Sequence, residues 1–389
     1  MTGSGTRGRH APSDAHAGAA GPRPTRQAAG PRPTRQAAGS LAEAVEAGLA
    51  GAGQATLSAG VQRLMTAYRS GEVPDAPVMA SRQDAAAYAA YRMPATAAAA
   101  AAALRQVRLA LPGWAPATLL DFGAGTGSMA WAAVAELPSL ESVTLLEQSA
   151  EAIRLGRAII GQSPAEALRT ARWQPWRLRA ADEAGPRARQ PARSRPSGQP
   201  GGPADLPAVD LATSAYVLGE LTEPQQVSLI ALTIAVAPAV LLIEPGTPAG
   251  HRRILAARAA LLAAGYELAA PCPHAADCPL AAAGDWCHFA ARVQRSAVHR
   301  RAKGVELSYE DEKFSYVAAL RPELRSTVAP AGLPGVARVV RRPQQRKGLV
   351  MLELCTLDGR SQRELVSKIQ GEAYRRARKT SWGDRWEAS

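Results

Sequence analysis

The chain has 389 residues and a formal net charge of +13, with 46 lysines and arginines against 33 acids. That length allows two or three domains, and no apolar run reaches the roughly 18 residues that a membrane-spanning helix needs, the alanine-rich tract 95–104 included. The positive excess points to a polyanionic partner, nucleic acid first, and the lack of an apolar signal segment points to a reducing, cytoplasmic compartment without disulfides.

Residues 1–39 hold Gly, Pro, Ala, Arg and Thr with almost no large apolar side chains, and they repeat GPRPTRQAA at 21–29 and 30–38. This composition predicts a disordered basic tail. Spaced Leu, Val, Met and Tyr predict a helical N-terminal region over 40–114, with helices at 40–53, 58–69 and 81–111. Pro94 is expected to interrupt the third helix and start a new one. From 115 to 265 the pattern alternates: strands at 118–122, 142–146, 173–178, 208–215 and 240–243, and helices at 127–137, 150–160, 225–237 and 252–264. Such alternation predicts an α/β, doubly wound parallel sheet covered on both faces. Residues 183–204, rich in Arg, Pro, Gly and Ser, read as a disordered insertion in this domain. Residues 266–313 read as a cysteine-rich, metal-binding segment. Residues 314–389 supply further strands at 314–320, 337–340 and 349–354, then a basic tail.

The first strand runs into Asp121-Phe122-Gly123-Ala124-Gly125-Thr126-Gly127. Glycines there permit a tight turn and close approach of a ligand. A dinucleotide loop requires glycine at Ser128, and none is present. The G-x-G-x-G spacing, with Asp121 two residues ahead, resembles the S-adenosylmethionine loop of class I methyltransferases. In that fold Glu147, closing the second strand, takes the ribose hydroxyls. Asp121 lies near the methionine amino group, and Asp182 is a weaker candidate for the adenine amino group. Residues 214–221 lack the Asn/Asp-Pro-Pro-aromatic motif of base-amino methyltransferases, and no other catalytic motif replaces it. Glu220 reads most plainly as an exposed acid at a helix start.

The chain has four cysteines. Cys272, Cys278 and Cys287 cluster, and Cys355 ends a later apolar run. Thiolates suit an iron–sulfur cluster or zinc, and the C-x5-C-x8-C spacing matches neither a zinc ribbon nor a bacterial ferredoxin. For zinc, His274 and His288 are available to replace thiolates. Three basic stretches follow: Arg292, Arg295, His299, Arg300, Arg301 and Lys303; then Arg341, Arg342, Arg346 and Lys347; then Arg375, Arg376, Arg378 and Lys379 beside Trp382 and Trp386. Cations that neutralise phosphates and tryptophans that stack on unpaired bases would together bind RNA.

Over residues 85–389 the chain resembles the methyltransferase-like assembly factors of the small ribosomal subunit known from mitochondria, the Rsm-twenty-two family. The resemblance rests on residues 91–96, 121–127, 216–221, 244–248, 272–289, 309–316 and 374–386. It implies binding to small-subunit ribosomal RNA and the assembling small subunit, and S-adenosylmethionine as cofactor. It also implies rRNA methyltransferase activity and a 4Fe-4S cluster held by Cys272, Cys278, Cys287 and Cys355. The alternative is a non-catalytic RNA-binding assembly protein whose iron–sulfur or zinc centre is structural.

Overall fold

A computed structural model describes residues 35–70, 78–178, 206–328 and 336–387. The tail up to residue 34, the 183–204 stretch and Asp182 lie outside the described residues. Helices α1 (Arg35–Gly48), α2 (Gln54–Ser70) and α3 (Arg82–Ala110) come first. The first helix thus begins five residues earlier than expected. Then follow β1 (Thr118–Phe122), α4 (Ser128–Glu136), β2 (Ser142–Glu147), α5 (Ala150–Ile160), α6 (Glu166–Arg169), β3 (Arg172–Pro175), β4 (Leu211–Ala215), α7 (Glu223–Val236), β5 (Ala239–Pro245) and α8 (Pro248–Ala263). The later elements are β6 (Glu267–Ala270), α9 (Pro279–Ala282), β7 (Phe289–Gln294), α10 (Ala297–Lys303), β8 (Tyr309–Leu320), α11 (Pro322–Val328), β9 (Ala337–Val339), β10 (Gln344–Arg346), β11 (Leu349–Cys355), β12 (Ser361–Ser367), α12 (Glu372–Ala377) and β13 (Arg385–Trp386).

The principal sheet has the order β3-β2-β1-β4-β5-β8-β6, with β7 paired to β8. Strands β1 to β5 are parallel, as expected. β8 corrects the all-parallel expectation, because it runs antiparallel to β5, β6 and β7. The result is a doubly wound sheet extended by one long antiparallel strand. β8 is 12 residues long. Its first half pairs with β7, and its second half lies between β5 and β6. Residues 266–313 therefore contribute two strands to the principal sheet, on either side of the cysteine loop. Strand β6 is too short for an apolar pattern, and β7 buries only alternate residues.

Apolar side chains from α3, α4 and α5 cover one face of this sheet, including Leu104, Met129 and Ile159. Leu229 of α7 and Ile254 of α8 cover the other. Local signals set the helix starts. Ser81 caps α3 by accepting from Asp84 N at 3.2 Å, Ser149 caps α5, and Thr247 caps α8 just before Pro248. Helix α3 runs unbroken through Pro94, contrary to the expected restart. A proline inside a helix removes one N–H bond and normally kinks it. Here α2, α4, β7 and β8 pack along α3 and outweigh that local cost. The second sheet, β10-β11-β9-β13 with β12 on β11, has its own core of Val339, Val350, Leu352, Leu354, Val366 and Trp386. Among the described residues no helix is long and apolar enough to cross a membrane.

Candidate functional site

The glycine loop lies at the carboxyl ends of β1, β2, β4 and β5, where the sheet order reverses and ligands of open α/β sheets bind. Gly123, Gly125 and Gly127 all have positive φ, at 68°, 57° and 91°. A Cβ on Gly123 would stand 2.5 Å from Val217, so this turn tolerates no side chain. At Gly125 the obstacle is the left-handed backbone rather than space, since the nearest atoms, from Met79 and Tyr88, are 3.5 Å and 3.6 Å from an ideal Cβ. Those two side chains wall the loop. Ser149 Oγ anchors the wall by donating to the Met79 carbonyl at 2.6 Å. Glu147 accepts from Gly125 N and Ser149 N, each at 2.8 Å, and so ties the loop to the second strand. Each carboxylate oxygen keeps a further lone pair.

Carboxylates are in excess around this loop. Burial pushes Asp121 up to about 7, against a hydrogen bond from Thr213 at 2.7 Å, and the Glu147 charge adds to the rise. Glu220 is pushed up to about 8 by burial first and then by Glu147 and Glu244. It sits in a single 3-10 turn ahead of α7 and is not the exposed helix-start acid expected from sequence. Glu244, fully buried, rises to about 7 by burial, although Arg253 pairs with it at 2.6 Å. Among the described residues no ion pair reaches Asp121, Glu147 or Glu220. Asp121 Oδ2, Thr126 Oγ1 and Ser128 Oγ are buried without hydrogen-bond partners. Buried acids without cations, beside orphaned polar atoms, make a site matched to a positively charged, hydrogen-bonding ligand.

Beyond β4, Tyr216 holds φ at 63°, a conformation tyrosine rarely adopts. Its hydroxyl donates to Glu312 at 2.9 Å, Arg92 pairs with the same carboxylate at 3.0 Å, and the guanidinium lies 4.9 Å from the Tyr216 ring centre. This network lies just beyond β4, next to Val217, which reaches the glycine loop at Gly123.

The four cysteines converge on a cavity elsewhere in the chain. Cys272, Cys278 and Cys287 line it from the loop between β6 and β7, and Cys355 lines it from the end of β11. Burial raises the thiols of Cys272 and Cys287 and pushes Cys355 up to about 12, and neighbouring thiols add to each rise. His251, Arg258 and Ile254 of α8, His274, Tyr316 and Arg338 complete the wall. Among the described residues no three His, Cys, Asp or Glu side chains are grouped around a single ion position. The four thiols line this one cavity. His288, considered as a zinc ligand, lies outside the cavity, stacked on Trp286 at 5.4 Å and edge-on to Trp382 at 4.8 Å.

Both arginines are buried and neither meets a carboxylate. Arg258 donates to the carbonyls of His274 at 3.0 Å and Ala276 at 2.7 Å, while its Nε has no partner. Arg338 donates to the carbonyls of Pro271 at 2.9 Å and Gly383 at 2.8 Å and to the Gln106 side chain. Two uncompensated buried cations beside four thiols fit an anionic metal–thiolate group. Sequence reasoning missed His251, Arg258 and Arg338. The available signal was the seven-residue spacing of His251 and Arg258, which puts both on one face of α8.

The basic stretches divide. Arg295, His299 and Lys303 turn inward onto Glu310, with Arg295 at 2.6 Å and His299 at 3.2 Å. Arg341 pairs with Asp285. Arg342, Arg346, Lys347, Arg375, Arg378 and Lys379 remain exposed. The Gln345 side chain donates to the Arg378 carbonyl at 3.0 Å, so the last two stretches adjoin. The tryptophans expected to stack on bases are structural: Trp386 is buried and bonds Glu364 at 2.9 Å, and Trp382 packs against the core and His288.

The sequence pattern of the family described as mitochondrial small ribosomal subunit Rsm22 matches residues 82–387. The human mitochondrial ribosome assembly protein METTL17 is 28% identical over 318 residues, covering 76% of this chain and 61% of the human protein. The mitochondrial Rsm22-cox11 tandem protein 2 of Schizosaccharomyces pombe is 30% identical over 185 residues, which is 37% of this chain and 24% of that protein. The chain thus spans less than two thirds of these relatives. Among solved structures, a precorrin-6y C5,15-methyltransferase from Geobacter metallireducens is similar over 56% of this chain and 87% of its own, at 14% identity and TM-score 0.33. TrmN from Thermus thermophilus is similar over 60% of this chain and 53% of its own, at 14% identity and TM-score 0.29.

Proposed function

Because the chain belongs to the mitochondrial small ribosomal subunit Rsm22 family, we propose that it is a small-subunit assembly factor that binds S-adenosylmethionine and carries a four-cysteine iron–sulfur cluster. One observation carries the reading: among the described residues, Asp121, Glu147 and Glu220 beside the glycine loop have no ion-pair partner, and neither have Arg258 and Arg338 beside the thiols. In the glycine-loop site Asp121, Glu147 and Glu220 are acids without a paired cation, which suits the sulfonium and ammonium groups of S-adenosylmethionine. Asp121 and Glu147 would hold the cofactor, with Glu220 adding negative potential. When bound, the cofactor supplies an electrophilic methyl group. The cysteine cavity has cations without acids, which suits an anionic cluster held by Cys272, Cys278, Cys287 and Cys355. Four thiols lining one cavity suit an iron–sulfur cluster, with zinc as the alternative centre. The exposed basic side chains of β10 and α12 would meet the phosphates of small-subunit RNA.

A second reading is favoured by the Tyr216–Glu312–Arg92 network. In this reading the network occupies the acceptor side of the glycine site, with the Glu312 carboxylate tied up by Tyr216 and Arg92, so the cofactor would serve binding rather than methyl transfer. Calorimetry with S-adenosylmethionine, followed by transfer of a labelled methyl group to small-subunit RNA, tests both. Binding with transfer supports the enzyme, and binding without transfer supports the second reading. Absence of binding contradicts the cofactor assignment.

A further inference from the structure

Two histidines touch the thiols. His274 Nε2 lies 3.2 Å from Cys355 Sγ, and His251 Nε2 lies 4.0 Å from Cys278 Sγ, the outer limit of a contact to sulfur. Neither position is accidental. Arg258 grips the His274 carbonyl at 3.0 Å and so fixes the backbone that carries that ring. His251 projects from α8 and is 4% exposed. Four cysteines already complete a four-iron cluster, so neither ring is needed as a ligand.

We propose that His274, with His251 as the weaker partner, donates an N–H to a cysteine sulfur and thereby sets the reduction potential of the centre. The proposal rests on the iron–sulfur reading above. A neutral imidazole has one N–H, and placing it on Nε2 directs it at sulfur. His274 Nδ1 then keeps its lone pair, and among the described residues no acceptor within hydrogen-bond geometry draws a proton to that buried atom. One added electron increases the negative charge that the cysteine sulfurs share. A donor aimed at sulfur stabilises the reduced form more than the oxidised form, so it raises the potential. No bond forms or breaks and no proton moves.

The test uses the full chain, purified without oxygen. Iron and acid-labile sulfide are counted first, and the cluster is then titrated with dithionite in the presence of mediators while visible absorbance is followed. His274→Leu removes the donor, and His274→Gln keeps one. The leucine variant should retain the iron of the unmodified chain. Its one-electron reduction should become about tenfold less favourable, a shift of about 59 mV to more negative potential. His274→Gln should recover much of that shift. A leucine variant with full iron and an unchanged potential overturns the proposal, as does loss of iron from both variants, which would make His274 a ligand or a structural prop. Absence of iron from the unmodified chain overturns the cluster reading instead.

Discussion

Replacing Arg258 with methionine should cost more when the metal centre is present than when it is absent. The substitution bares the carbonyls of His274 and Ala276, now bonded at 3.0 Å and 2.7 Å. Each buried acceptor left unpaired costs about 1–3 kcal/mol. It also removes a buried cation with no carboxylate partner, whose desolvation opposes folding by several kcal/mol. In the metal-free chain these effects offset, leaving a net change within about 2 kcal/mol. In the loaded chain a third effect enters, the attraction between the guanidinium and an anionic centre. Unit charges about 4 Å apart interact by about 4 kcal/mol at an effective dielectric of 20, and less when farther apart. The loaded chain should therefore lose about 3 kcal/mol more than the metal-free chain, which is about 100-fold in affinity for the centre. Anaerobic urea unfolding of both forms measures the difference, with Arg258→Lys as the variant that keeps the charge. Equal losses in both forms would refute the counter-charge argument and reduce Arg258 to a brace for the loop.

Glu147→Ala should weaken S-adenosylmethionine binding by about 1–3 kcal/mol in calorimetry, and Gly123→Val should abolish it through the clash with Val217. Cofactor affinity should rise from pH 6 to pH 8 as Asp121 and Glu220 ionise near 7 and 8. The free chain should move the opposite way: these folded values exceed the unfolded ones, so their contribution to stability is complete below about pH 4 and is lost as pH rises from there through the folded values of about 7 and 8. Burial opposes the charge of Glu310, but His299, Arg295 and Lys303 outweigh it and hold the carboxyl well below the usual range. Its contribution is present above about pH 4.3 and lost below it, so Glu310→Gln should cost about 3 kcal/mol at pH 7 and less in acid unfolding. Replacing Arg346, Lys347, Arg378 and Lys379 with serine should flatten the salt dependence of RNA binding by about three units of log–log slope and leave the melting temperature unchanged.

Contiguous chemistry was legible in the sequence. Asp121 to Gly127 must be consecutive to turn the chain at a ligand, and Glu147 ends a strand whose apolar run marks it. The cysteines stood out by rarity, although His288 was read as a possible ligand and packs elsewhere. Residues that work by returning from afar left no local trace. Arg338 lies in a three-residue strand, and its cavity role depends on how β9 pairs with β11 and β13. Met79 and Tyr88 reach the glycine loop only through the docking of α3. Trp382 and Trp386 looked like base-stacking groups because basic residues flank them, yet Trp386 is buried and the half-buried Trp382 packs against the core and His288. Pro94 predicted a helix break because local propensity cannot count the elements packed along α3.

Iron and acid-labile sulfide per chain, measured after anaerobic purification of the unmodified protein and of Cys355→Ser, test the central claim most directly. Cys355 is the one cavity thiol supplied by the second sheet. The account predicts four irons and four sulfides per chain in the unmodified protein, and loss of both in the variant. Stoichiometric zinc with no iron, or an iron content that Cys355→Ser leaves unchanged, would contradict it.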